Sequence, residues 1–247
     1  MLAGEDVAPT LKTIASSGQA DSYQCQSYDI DLDEQPFRVH EASGFDEDGR
    51  LPTHEDIARA YSLIKNLGAG VSLLVFCMRA PRMTEGCKRN WRLFHEVFCK
   101  KKVAALAVVT GLENEDDMDA WWNVNETVFH KNEMFPDRHA CVTAIKGRLN
   151  GGTYVFQKEF DDSQKKIRGL IKSSRMETPW SMAHMEWFNS FVVDLVDVKI
   201  FGWRIGQRKV VKKVKGAVND LVARCGMSKE DAKNLAETLD QLSKESN

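Results

Sequence analysis

Three short apolar runs, residues 70–78, 103–109 and 140–145, recur along this chain with helix-period segments between them. No other feature narrows the fold as far, because neighbouring parallel strands need a crossover connection of about a dozen residues or more, usually a helix. Ahead of the first run, Thr53 offers an N-cap to a helix carrying Ile57, Ala60, Tyr61 and Ile64, which Gly68 and Gly70 terminate. Thr84 caps a second helix to about Phe98, and the basic turn 100–102 leads into the second run. A third helix over 116–134 carries Trp121, Trp122, Val124 and Phe129 and precedes the third run, which Gly147 closes. The expected fold class is α/β: a mostly parallel sheet with helices on both faces.

Two extended segments precede this alternation, 23–32 and 36–41, with the acidic turn 33–35 between them, a spacing that suits a hairpin. A helix over about 155–172 follows the third run, and the polar stretch 173–179, ending in Pro179, reads as a linker. Beyond it, 180–198 and 207–224 read as helices, and Ser228 with Asp231 approximates a capping box for a last one. The expected organisation is an α/β domain over 1–173 and a C-terminal helical extension over 174–247.

At 247 residues, 43% hydrophobic and 28% charged, the chain can bury a full core. Its six cysteines are scattered without a C-x-x-C pair, which suits reduced thiols and a cytoplasmic protein. Residues 1–20 lack the basic start and apolar run of a secretory signal, and no stretch approaches the roughly 20 apolar residues of a membrane-spanning helix. A net charge of −2 supplies no overall field toward nucleic acid, so nucleic acid is not an expected partner.

In an open α/β sheet the ligand crevice lies at the carboxyl ends of the strands. There the sequence reads His40-Glu41-Ala42-Ser43-Gly44 with Asp46 beyond, then Thr110-Gly111-Leu112-Glu113, then Val142-Thr143-Ala144-Ile145-Lys146-Gly147. In order and spacing these resemble the P-loop GTPase superfamily across roughly 1–174. The likeness is strongest to septin-like and immunity-associated GTPases and to the G-domain proteins of mushroom-forming fungi. The resemblance implies that 41–44 stand where the family's Asp-Thr-Pro-Gly motif holds magnesium, with Glu41 in the place of the Asp and Gly44 kept. It places Thr110 and Glu113 at the guanine-reading motif, with Gly111 in place of its Lys, and Thr143 and Ala144 at the small-residue loop beside the base. Residues 2–6 resemble the end of the family's first helix, which puts the phosphate loop ahead of the start of this sequence.

No G-x-x-x-x-G-K-[ST] occurs in the sequence, and 22–25 contain no threonine for the first switch. Each backbone amide bond to a charged phosphate contributes about 1.5–3 kcal/mol, so a site without four of them is weaker by roughly 6 kcal/mol or more. That is about four orders of magnitude in affinity. The resemblance therefore implies a G domain with an incomplete nucleotide site, weak or no GTP/GDP binding with any Mg held near Glu41, and no GTPase activity. Contacts with protein partners or self-association would then carry its function.

Two chemistries from other classes compete with that reading. His40, Glu41, Asp46, Glu47, Asp48, His54 and Glu55 form the densest group of metal-ligand side chains, so the acidic loop 40–48 could serve a metal-dependent hydrolase or nuclease; the plainer alternative is a solvated acidic loop. Arg204, Arg208, Lys209, Lys212, Lys213 and Lys215 interleave with three valines behind Trp203. Such a cationic helix over 203–215 could lie on an anionic membrane surface, or pack with its lysines in water. Trp121 and Trp122 point about 100° apart on a helix, so at least one is expected in the core. His95, His130, His139 and His184 stand singly and read as structural.

Overall fold

A computed structural model describes residues 1–2, 25–42, 60, 63–64 and 67–181. The elements are β1 (Cys25–Leu32), β2 (Gln35–Ala42), β3 (Leu74–Arg79), α1 (Glu85–Trp91) running into π-helical turns over Arg92–Phe98, β4 (Ala105–Thr110), α2 (Met118–Lys131), β5 (Arg138–Cys141), β6 (Leu149–Asn150), β7 (Thr153–Tyr154) and α3 (Gln157–Ser174). Of the helix expected after Thr53, residues 60 and 63–64 are described and are helical, while its start, the expected helices beyond 181, the basic segment 203–215, Gly44 and Asp46 lie outside the described residues. The chain packs as two compact units: Met1–Ser43, Ser72–Lys88 and Val103–Thr178 in one, and Gly44–Val71, Arg89–Lys102 and Pro179–Asn247 in the other.

In the first unit β3, β4 and β5 form a parallel sheet in that order, and the fold is α/β. β4 is its centre. Leu106 and Val108 on one face and Ala105, Ala107 and Val109 on the other are all buried, as a parallel sheet covered on both sides requires. α3 packs against β4 and β5, and α2 against β5. β1 and β2 pair antiparallel from Cys25 with Ala42 to Leu32 with Gln35, around a two-residue turn whose Asp33 and Glu34 both take positive φ. One core joins hairpin, sheet and helix: Ile30, Leu32, Leu106, Val108, Ala140, Val142, Ile167 and Ile171. The turn is tied to α3 as well, since Lys172 Nζ and Arg168 Nη2 reach the Asp33 carboxylate at 2.8 and 3.3 Å. Those two bonds, the Lys172 one first, hold the Asp33 carboxyl below its ordinary range.

Three sequence expectations shift. The second helix turns π-helical at Arg92, with Cys99 N–H donating to Phe94 O at 3.0 Å. The wider turn brings residues five apart onto one face, and Leu93 and Phe98 are both fully buried. The third strand ends at Cys141 rather than at 145, because Thr143 N–H donates to the Ser163 hydroxyl of α3 at 2.9 Å instead of continuing a ladder. Between β5 and α3 stands an unexpected hairpin, β6–β7, whose turn residues Gly151 and Gly152 both have positive φ. In the second unit, Val71 and Trp180 exchange backbone bonds of 2.8 and 2.9 Å.

Candidate functional site

Because β3, β4 and β5 are parallel, their carboxyl ends share one edge of the sheet, and four expected site residues, Thr110, Glu113, Thr143 and Ala144, lie at or just beyond it. Thr110 closes β4, and its hydroxyl donates to Met78 O at 3.2 Å, so it is engaged with the neighbouring strand. Gly111 follows at φ 81°, a conformation in which a side chain would be strained. A Cβ on Gly111 would come within 2.9 Å of Arg79 Cγ and 3.3 Å of Arg79 Cζ. The bare glycine lets the Arg79 side chain cross the backbone and bring Nη2 to Glu113 Oε1 at 3.3 Å. The Glu113 side chain is only 9% exposed, and its Oε2 is buried without a hydrogen-bond partner among the described residues. A buried carboxylate oxygen left over from an ion pair is an acceptor for an N–H donor.

Thr143 and Ala144 follow β5 along the same edge. Thr143 is wholly buried: its N–H donates to Ser163 Oγ and its hydroxyl lies 3.3 Å from Met118 Sδ. Its groups are spent fixing the strand end to α3 and α2. Ala144 is exposed.

His40 and Glu41 sit on β2, in the other sheet of this unit. As neighbours on one strand they point to opposite faces. His40 Nδ1 lies 2.8 Å from the Ser27 hydroxyl, and Tyr28 OH donates to Glu41 Oε2 at 3.2 Å. Burial, with the Arg38 charge behind it, lowers the His40 pKa. Among the described residues no three histidine, cysteine, aspartate or glutamate side chains gather as a metal site. Asp46 and Gly44 lie outside those residues. Glu41 also acts on Cys77 of β3. Desolvation first, then the Glu41 charge, push the Cys77 thiol up to about 11. Since the thiolate is the nucleophile, Cys77 should alkylate at pH 8 more slowly than an unperturbed thiol. Mass spectrometry of the Cys77 peptide over an iodoacetamide time course checks this, and labelling at the rate of free cysteine would refute the assignment.

No family model, curated protein or solved structure matches this chain. Among the described residues, no helix is long and apolar enough to cross a membrane. What the site can do follows from its residues alone. One edge of the sheet offers a half-satisfied buried carboxylate beside a guanidinium; the threonines flanking it are committed to the fold. Sequence reasoning missed Arg79, which it placed just beyond a strand ending at 78. The signal was the glycine at 111, which leaves room for a long cation from the adjacent strand.

Proposed function

We propose that this chain is a G-domain-like protein with an incomplete guanine nucleotide site, acting inside the cell through contacts with partners or with itself rather than by hydrolysis. The observation that carries the reading is the Arg79–Glu113 pair at the carboxyl end of β4, with Glu113 Oε2 buried and unpartnered among the described residues. Guanine presents an amide N–H and an exocyclic amine side by side, whereas adenine presents no such pair; with Oε1 held by Arg79, Glu113 Oε2 is the oxygen left to accept from one of those donors. The parallel sheet, with an antiparallel hairpin earlier in the chain, also supports the reading.

Weak binding follows from what surrounds Glu113. Thr110 and Thr143 are engaged in the fold, and the sequence contains no Gly-rich phosphate motif. Base recognition through one carboxylate leaves affinity of the order of 100 μM, about four decades below a site with a full phosphate cradle. Saturation-transfer NMR with GDP and with ADP tests this: signal is expected for GDP and not for ADP, and Glu113→Gln should abolish it. Equal transfer to both nucleotides, or a GDP signal that survives the substitution, would remove Glu113 as the base reader.

A further inference from the structure

We infer that the outer face of α2 is a homodimer contact in which two copies of the helix pack antiparallel about a two-fold axis at Val124. This contact supplies the surface for the self-association proposed above and rests on that reading.

The helix runs from Met118 to Lys131 with Asp117 as its N-cap. Taking about 100° per residue, Asp117, Ala120, Trp121, Val124, Val128 and Lys131 lie within about 60° of one direction. Val124 is 75% exposed and Val128 39%, and Trp121 is half-buried beside them. Apolar side chains at this spacing on an open helix form the stripe by which helices pack. Trp122 and Phe129 face inward and are buried, and Trp121 meets Phe129 edge-on with centroids 6.4 Å apart, so Val124 and Val128 are the apolar part of the stripe that the domain's own core leaves open.

The charges select the partner. Asp117 and Lys131 each stand seven residues from Val124, at opposite ends of the stripe, and neither has an ion-pair partner among the described residues. In a parallel pair like charges would meet. An antiparallel pair centred on Val124 sets Asp117 of each copy against Lys131 of the other, about 10 Å to either side of the axis, and aligns the two helix dipoles favourably. A two-fold contact uses the same patch on both copies, and this stripe complements itself. A single pair of four-turn helices covers less area than a standard stable interface, so a dissociation constant in the tens of micromolar is expected.

Sedimentation equilibrium of the full chain from about 5 to 500 μM tests the inference. Wild type should follow a monomer–dimer equilibrium. Val124→Glu, at an exposed position that tolerates it, should weaken the dimer at least tenfold, and Asn123→Asp, off the stripe, should leave it unchanged. Asp117→Asn keeps the helix cap but not the charge; with Lys131→Gln it forms a double-mutant cycle, and the double substitution should be no weaker than the worse single one. A wild-type chain monomeric at 500 μM overturns the inference. So does a dimer indifferent to Val124→Glu, which leaves self-association through some other surface, and additive effects in the cycle overturn the antiparallel pairing. The guanine site is read independently by the GDP signal, which none of these substitutions should change.

Discussion

Truncation of Trp122 to alanine should lower the unfolding free energy by about 3–5 kcal/mol, the largest single-residue loss in the sheet unit. The indole is 3% exposed. It stacks flat on the His139 ring, with centroids 4.1 Å apart and planes 5° from parallel, and meets Phe129 at 4.5 Å. It therefore joins the inner face of α2 to β5. Alanine would leave a cavity beside the buried Phe129 ring. Trp122→Phe should cost much less, because it keeps an aromatic surface and removes an indole N–H that has no partner among the described residues. Urea denaturation of the three proteins, with unchanged slopes, gives the comparison. A loss below about 1 kcal/mol for the alanine variant would mean that α2 does not dock through this ring.

Leu106→Ala should cost about 3–4 kcal/mol by the same measurement. Leu106 is fully buried in the middle strand, and its side chain belongs to the cluster that unites Ile30 and Leu32 of the hairpin with Ile167 and Ile171 of α3. One truncation thus loosens three elements at once. Val124→Ala, a change of comparable chemistry on an open surface, should fall within about 0.5 kcal/mol of wild type. If the two substitutions cost the same, the core is not where the packing places it.

The helix-strand alternation was legible because a buried parallel strand has nowhere to put a polar side chain, so 103–109 stands out as an apolar run by composition alone. Its observed ladder, Ala105–Thr110, differs at the edges because Val103 is buried without being hydrogen-bonded into the sheet. The hairpin was legible as well, from two extended segments about one turn apart, and so was the division of labour in the Trp121–Trp122 pair. The β6–β7 hairpin was missed although Gly151-Gly152 is the dipeptide such a turn favours; strands of two residues carry no periodicity to read. The π-helical stretch leaves no pattern of its own, since Leu93 and Phe98 look out of phase until the turn widens.

At the candidate site, residue types were legible and their commitments were not. Thr143 reads as a residue free to approach a base, yet its amide and hydroxyl are both turned inward, on Ser163 and Met118, partners 20 and 25 residues away. Glu113 reads as an open carboxylate, yet one oxygen is held by Arg79, 34 residues earlier. Pairings over such distances depend on strand order and register, which no local pattern records.

If the proposed reading holds, tight, metal-dependent nucleotide binding should not control this chain. Calorimetric titration of GDP and GTP into the full chain, with and without magnesium, is the decisive experiment. Neither nucleotide should bind more tightly than about 10 μM, and magnesium should not strengthen binding, because the sequence contains no G-x-x-x-x-G-K-[ST] motif to couple the metal to the protein. Submicromolar binding that tightens with magnesium would contradict this and restore a nucleotide-switched reading of the same fold.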